Sequence, residues 1–156
     1  MANVSDFISK LKGGGARQNQ FKVTMPFPGF AAVGGETESM AFLCTATNLP
    51  SSETFQTWTT TIINDTDFAI KNAIERWSNG INNHSDNEGL ANPVDYQVDA
   101  FVDHLDRNGN TIKSYTFRGL FPTIIGQVDL NMDQVTTLET FECTWRYQYW
   151  ESNTTT

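Results

Sequence analysis

The sequence contains few of the residues on which catalytic and metal sites depend. Among 156 residues there are only two cysteines and two histidines, Cys44, Cys143, His84 and His104. Their spacing fits no zinc site, and the chain has neither a Gly-x-Ser-x-Gly nucleophile turn nor a glycine-rich phosphate loop. We therefore predict that the protein is not an enzyme and that it binds no metal or cofactor.

Two remaining candidates for chemistry have simpler interpretations. Cys44 and Cys143 each lie in an apolar, strand-like run, which predicts buried free thiols. A disulfide would require the two strands to be neighbours. The stretch 106–110 begins like a calcium loop, but Thr111 stands where that loop needs Gly and Phe117 where it needs Glu. We interpret this stretch as a hairpin turn.

The sequence also has no long apolar run and few basic residues. No segment approaches the roughly 20 apolar residues of a membrane span, and the first 15 residues contain no signal-peptide core. Residues 1–25 carry a net charge of +3, whereas residues 26–156 carry −11. A body this acidic repels nucleic acid. We expect synthesis in the cytoplasm and no membrane segment.

The charge distribution and the glycines divide the chain into three parts. We predict a basic N-terminal arm with a glycine hinge (1–19), a single β-barrel domain (20–151) and a disordered tail (152–156). The arm has helical spacing and is a candidate contact with a neighbouring copy through Phe7, Ile8, Lys10, Leu11 and Lys12. A solvated tail is the alternative interpretation.

Alternating apolar residues predict a mainly β protein. We expect an antiparallel β-sandwich or barrel of about seven strands with one flanking α-helix at about 66–80. The predicted strands are 21–25, 40–47, 55–63, 96–103, 111–118, 128–132 and 137–151. The helix presents Ile70, Ile74, Trp77 and Ile81 on one face, with Asp65 or Thr66 as its cap and Gly80 near its end.

Asn108-Gly109 is a strong hairpin signal between two of these strands. A two-residue loop there pairs Val102 with Tyr115 and Ala100 with Phe117, so that apolar residues share a face. The opposite face then carries a row of acids, Asp95, Asp99 and Asp103, which is either a solvated face or an acidic wall.

The C-terminal stretch 137–151 has large apolar residues at every second position, namely Phe141, Cys143, Trp145, Tyr147 and Tyr149. We predict one long strand with a buried aromatic face. A strand of this length can extend beyond its own sheet, and an unprotected edge of that kind needs a partner.

Four stretches taken in order resemble one family: ATNLPSS, WTTTIINDTDFAIKNAIERWSNGIN, GLFPTIIGQVDLNMD and TLETFECTWRYQYWES. Together they are similar to the tail tube protein of contractile-tailed, T4-like bacteriophages. The resemblance covers most of the chain from about residue 21 onward. Each motif is weak alone, but their order and spacing are specific.

The resemblance implies a structural subunit of the virion tail. Its copies would form six-membered rings stacked into a tube inside a sheath, with sheets of neighbouring subunits joined around a lumen. The implied partners are other copies of the chain, the sheath protein, the baseplate and the tape-measure protein, and DNA would pass through without specific binding. We expect some of the acidic side chains to line that lumen, with Asp95, Asp99, Asp103, Asp129, Glu139 and Glu142 as candidates.

The chain departs from the family pattern at one place. Members of the family carry a longer excursion after the Leu-Pro turn, whereas here Leu49-Pro50 leads almost directly to Phe55. A natural short form and a loop deletion both fit, and the close match of the two flanks favours a deletion. We therefore expect weakened self-assembly.

Two other functions remain open from the sequence. One is the tube of a contractile injection or type VI-like secretion system, whose cargo is protein. The other is a monomeric β-barrel that binds a ligand, although the many large aromatic side chains indicate a filled interior.

Overall fold

The structure, a computed structural model, describes residues 4–5, 15–34, 36–50 and 57–155. Within these ranges the chain forms seven strands and three helices. The strands are β1 (Phe21–Thr24), β2 (Cys44–Thr47), β3 (Trp58–Ile63), β4 (Val98–Leu105), β5 (Thr111–Ile125), β6 (Thr140–Arg146) and β7 (Tyr149–Ser152). The helices are α1 (Glu36–Leu43), α2 (Ala69–Ile81) and α3 (Pro93–Tyr96).

All the strand pairs are antiparallel and follow one path, β1-β4-β5-β6-β3-β2, with β7 also paired to β5. The long strand β5 belongs to two halves of this path. Its first part lies between β4 and β7, and with β1 these form sheet A. Its last part pairs with β6, and with β3 and β2 these form sheet B. The predicted mainly β, antiparallel architecture is confirmed.

The chain passes from one sheet to the other at Gly119. Phe117 and Leu120 are both fully buried, although an odd spacing in a regular strand places two side chains on opposite faces. Gly119 absorbs this shift with φ 66°, and the Gln148 backbone N–H opposite it donates to the Arg118 carbonyl at 2.8 Å. The strand therefore changes its inward face at this point.

The same shift breaks the C-terminal strand, which the sequence predicted as continuous. Phe141, Cys143 and Trp145 are buried as expected, but β6 ends at Arg146 and β7 begins two residues after Tyr147. Tyr149, predicted to be inward, is 52% exposed. The prediction of one uninterrupted face was wrong because the face changes between Tyr147 and Tyr149.

An aromatic cluster fills the space between the sheets. The Trp58 ring stacks on Phe117 with centroids 4.4 Å apart, and Trp145 lies 5.4 Å from Trp77 of α2. The Trp145 indole N–H donates to the Thr60 hydroxyl at 3.0 Å, so its polar atom is satisfied inside the core. The aromatic face of β6 is thus covered by a helix and by the opposite sheet.

The predicted flanking helix is confirmed, with later boundaries. It begins at Ala69 because Phe68 adopts a left-handed φ of 52°, and the Asp65 carboxylate accepts the Ala69 N–H at 3.1 Å. Gly80 was expected to cap the helix, but Asn82 is the C-cap. Gly80 instead lets the Phe30 ring pack directly against the helix backbone, where a Cβ would overlap it.

Two predicted strands were wrong. Residues 36–43 form a helix, α1, because Glu, Met, Ala and Leu are good helix formers and a short apolar run does not by itself distinguish helix from strand. Only Cys44–Thr47 of the predicted strand 40–47 is extended. Residues 128–132 are not in a strand, and Leu130 and Met132 are 83% and 97% exposed.

The predicted hairpin register is confirmed, since Val102 pairs with Tyr115 and Ala100 with Phe117. The two-residue loop was wrong, because the strands end at Leu105 and Thr111. Five residues connect them, and the Asp106 carboxylate accepts the backbone N–H groups of Asn108 and Asn110 at 2.8 and 2.9 Å. These bonds lower the pKa of Asp106 and hold the turn.

The division into arm, body and tail remains a prediction. The candidate arm contacts Phe7, Ile8, Lys10, Leu11 and Lys12 lie outside the described residues. Ser152 is buried, and the Ser152 N–H and the Thr155 hydroxyl form a hydrogen bond of 2.7 Å in the turn that follows β7.

Gly119→Ala should lower the free energy of unfolding by roughly 1–2 kcal/mol, the typical cost of a left-handed non-glycine residue. The added Cβ would also lie 2.8 Å from the Gln148 side chain. Gly29→Ala is the matched control, because its Cβ meets nothing within 4 Å. Urea unfolding measures both, and equal stabilities of the two variants would contradict the proposed strain at Gly119.

Candidate assembly surfaces

The six acids that the sequence proposed for a channel lie on different surfaces. Asp99 and Asp103 share the outer face of sheet A. Asp95 is not on that strand, since it lies in α3. Glu142 is on the outer face of sheet B, and Asp129 and Glu139 lie in the segment between β5 and β6. The predicted row of Asp95, Asp99 and Asp103 was therefore wrong at its first member.

The outer face of sheet A carries compensated charge. The Arg118 guanidinium donates to Asp99 at 2.7 Å and to Glu151 at 3.1 Å, which joins β4, β5 and β7. These bonds to Asp99 and then Glu151 raise the pKa of Arg118. Ser114 donates to Asp103 at 2.7 Å, and Lys22 is the register partner of Asp103. This face is a network of ion pairs and not a purely acidic wall.

The outer face of sheet B is rich in threonine. The register pairs Thr59 with Thr144 and Thr61 with Glu142. At the edge of this sheet, the Thr45 and Thr47 hydroxyls of β2 donate to the carbonyls of Thr61 and Thr59 at 3.3 and 3.2 Å, and Thr47 is the register partner of the buried Thr60.

Residues 126–139, which we call the 126–139 loop, form the most apolar exposed segment of the described chain. Leu130, Met132, Val135 and Leu138 are 83%, 97%, 90% and 68% exposed. The ends of the loop are fixed to sheet B, since the Gly126 N–H donates to the Glu142 carbonyl at 2.6 Å and the Asn64 side chain donates to the Glu139 carboxylate at 2.8 Å. Contiguous exposed apolar side chains of this kind mark an interaction surface.

A second surface lies where the two ends of the strand path approach each other. Within the described ranges, β1 pairs only with β4 and β2 pairs only with β3. Between β1 and β2 is an open cleft of about 610 Å³, which we call the seam cleft. It is lined by Gln18, Asn19, Phe21, Thr45, Ala46, Thr47, Leu49, Val102 and His104. Both bordering strands thus present unpaired backbone groups to the cleft.

In the described part of the chain, the cysteines and His104 have structural surroundings. Cys44 and Cys143 are buried free thiols, as predicted, and β3 lies between their strands. Among the described residues no group of three or more His, Cys, Asp or Glu side chains is placed to hold a metal ion. His104 Nε2 is bonded to the Arg17 carbonyl at 2.8 Å. No helix of the described ranges has the length and hydropathy to cross a bilayer.

Sequence reasoning missed the Arg118 network and the seam cleft. Arg118 and Glu151 are 33 residues apart, and their contact depends on the pairing of β7 with β5, which no local pattern reports. The cleft likewise depends on where the strand path ends. Residues 51–56, which contain the shortened connection, lie outside the described residues.

Comparison with known proteins places the chain among tube-forming proteins. Residues 51–153 match the family described as phage tail tube protein. The tail tube protein of Serratia phage KSP90 is 30% identical over 168 residues, which covers 94% of this chain and 95% of that protein. Tail tube protein gp19 of Enterobacteria phage T4 is 26% identical over 156 residues, which covers 87% and 91% of the two chains.

Two solved structures share the fold. A chain of the PVC sheath-tube complex, from an extracellular contractile injection system, matches with a TM-score of 0.54 at 11% identity. A chain of the anti-feeding prophage tube-terminating cap matches with a TM-score of 0.56 at 16% identity. In both cases 98% of this chain and 99% of the other are covered.

The two native thiols should react slowly with an alkylating reagent at pH 8. Burial raises the pKa of Cys44 from 9.0 to about 12 and also raises that of Cys143, so the reactive thiolate is scarce. Because the folded pKa of Cys44 lies above the unfolded one, its contribution to stability is lost as the pH rises from 9.0 to about 12. We expect alkylation at least ~100-fold slower than in denaturant.

Val94→Cys provides the control for this measurement, since position 94 is 81% exposed. The introduced thiol should react at the rate of a free cysteine in the same sample. Equal rates for the native and the introduced thiols, followed by mass spectrometry, would contradict the burial of Cys44 and Cys143.

Proposed function

The chain belongs to the phage tail tube protein family, a structural component of the virion tail, and we propose that its copies form stacked six-membered rings around a channel for DNA. The observation that carries this proposal is the pair of open strand edges at the seam cleft, together with the exposed apolar 126–139 loop. An isolated monomer leaves both unprotected, whereas contacts between copies cover them.

The placement of these surfaces suits a ring. The loop follows β5 and the seam cleft borders β2, and these are the two outer strands of sheet B. Two different surfaces on opposite edges of one sheet make a head-to-tail contact, which closes into a ring when the rotation between copies allows it. Six copies per ring is the number that the family resemblance implies.

We assign the channel wall to the outer face of sheet B. Asp99 is ion-paired with Arg118 on sheet A, whereas within the described residues no Lys or Arg forms an ion pair with Glu139 or Glu142. The carboxylates of Glu139 and Glu142 repel phosphate. DNA then passes through without being held.

The proposed partners follow from the same assembly. Two matched structures are named as a sheath-tube complex and a tube terminating cap, so a tube of this fold occurs next to a sheath. The outer face of sheet A, with half-exposed Phe101 and Tyr149 beside the Arg118 network, is the surface we propose for the sheath. The baseplate and the tape-measure protein complete the expected set of partners.

The alignment with a relative supports a missing excursion. The 168 aligned positions take in 94% of this 156-residue chain, or about 147 residues, so the relative carries about 20 residues that this chain lacks. We place this difference in the connection from Leu49 to Phe55, where the flanking motifs leave almost no linker. An excursion of that size is long enough to reach a neighbouring subunit or ring.

Purified protein should therefore be a folded monomer or small oligomer at low concentration. Sedimentation velocity measures the mass, and negative-stain electron microscopy shows whether rings or tubes form. Insertion of a relative's excursion between Pro50 and Phe55 should restore tubes. Long tubes of the unmodified chain at low concentration would contradict the assembly role of the excursion while supporting the tube itself.

The channel assignment has its own test. In a tube reconstruction, of this chain or of the chain with the excursion inserted, we expect the Glu139 and Glu142 carboxylates to point into the lumen. Asp99 should remain in its ion pair with Arg118, away from the lumen. If all six candidate acids point outward or between rings, the acidic channel is wrong.

A further inference from the structure

Residues 127–132 have the pattern of a half-buried strand, yet the structure gives them no strand to pair with. Val128, Leu130 and Met132 alternate with Gln127, Asp129 and Asn131. Period-two alternation is useful only where one face is covered. Here Val128 packs partly buried against the core of its own chain, whereas Leu130 and Met132 are 83% and 97% exposed, so the single chain covers only the first residue of this face.

We propose that residues 127–132 become a strand by pairing with the open edge of β2 in a second copy, inside the seam cleft. The proposal rests on the tube function above and names the contact between neighbouring copies in a ring. Addition of an extended segment to an open sheet edge is a general mode of recognition, in which backbone bonds supply affinity and alternate side chains supply register.

The cleft matches the apolar face of this segment. Phe21, Ala46, Leu49 and Val102 line it, and within the described ranges β2 has no strand on its cleft side. In a strand, Leu130 and Met132 point to the same face, so both enter the cleft together. Burial of two side chains that are otherwise almost fully exposed is favourable.

The charges of the two surfaces do not oppose each other. The 126–139 loop contains Asp129, Asp133 and Glu139 and no basic residue. The described residues that line the cleft include no acid, and Arg17 directly precedes Gln18 of the lining. When Leu130 and Met132 face the cleft floor, Asp129 is on the opposite face of the segment, toward solvent. An acidic loop that enters the cleft therefore meets no like charge among these lining residues.

The geometry prevents the loop from reaching the cleft of its own chain. The loop leaves the end of β5, and β6 and β3 lie between β5 and β2 in sheet B. Three strand spacings separate the two edges by about 14 Å, whereas Gln127, the first residue of the segment, lies only about 3.8 Å along the chain from the fixed Gly126. The Gly126 and Asn64 hydrogen bonds hold both ends of the loop at its own edge. The contact is therefore between copies and head-to-tail.

Paired cysteine variants test the contact in the full chain. Met132→Cys and Asn19→Cys protein are mixed and treated with a short bismaleimide; position 19 is an exposed residue of the cleft lining. Val94→Cys mixed with Asn19→Cys is the matched control, because position 94 is 81% exposed but lies outside the loop. The buried native thiols keep the background low. Cross-linked dimer should exceed the control by roughly tenfold or more, because pairing raises the local concentration.

A second measurement uses the unmodified protein. In hydrogen exchange at increasing protein concentration, the amides of 127–132 and 44–47 should gain protection together. Protection of 44–47 without 127–132 would place another segment in the cleft and overturn the proposal. No concentration-dependent protection in either segment would also overturn it.

The outcomes separate this inference from the proposed function. Tubes in the microscope with cross-linking at the control level would leave the tail tube role intact and exclude strand addition at the cleft. In the chain with the excursion inserted, cross-linked dimers and joint protection without rings or tubes would support the pairing and contradict ring formation. In the same chain, the absence of both tubes and cross-links would contradict both.

Discussion

The fold depends on one aromatic cluster in which both sheets and a helix meet. Trp58 of sheet B stacks on Phe117 of sheet A at 4.4 Å, and Trp145 touches both Trp58 and Trp77 of α2. All four side chains are at most 1% exposed. Large aromatic rings each bury roughly 150–250 Å², and here they set the distance between the sheets. The surfaces that remain for contacts with other molecules are the outer faces, the open edges and the 126–139 loop.

The sheets can meet around this cluster only because two neighbouring strands change their inward face at the same level. In β5 the change is at Gly119, and in the C-terminal strand it is at Gln148, which lies directly opposite. The strand path bends there from sheet B to sheet A, and its free ends, β1 and β2, come to lie on the two sides of the seam cleft. The cleft is thus a consequence of how the core closes, since the described strands wrap the cluster and leave an opening between β1 and β2.

The sequence predicted best where a pattern is satisfied by neighbours close in the chain. The register of the 98–118 hairpin and the buried face of α2 follow from local alternation and helical spacing, and both are confirmed. The predictions from the sequence were wrong where contacts between residues far apart in the chain determine the structure. The change of inward face at Gln148 depends on Gly119, which lies some thirty residues earlier in the chain. The ion pairs of Arg118 depend on a strand register that is fixed only in the folded sheet. At 36–43 the short apolar run fits a helix and a strand equally well, and the helix preference of its residues determined the outcome.

The failure at 128–132 is of a different kind. At Gln148 the structure supplies a physical reason for the departure, whereas at Leu130 and Met132 it leaves two large apolar side chains in water. In a sequence that specifies one structure, the local pattern of each segment agrees with the environment that the segment has in the fold. Disagreements between the two concentrate at functional sites. The single chain thus has a strand pattern that it does not use and, at the opposite edge of sheet B, an edge strand that it does not cover. Both are consistent if the assembly is the environment that selected them. For a subunit that contacts its neighbours head-to-tail, a pair of copies still leaves one loop and one cleft open, so every pattern is satisfied only in a closed ring.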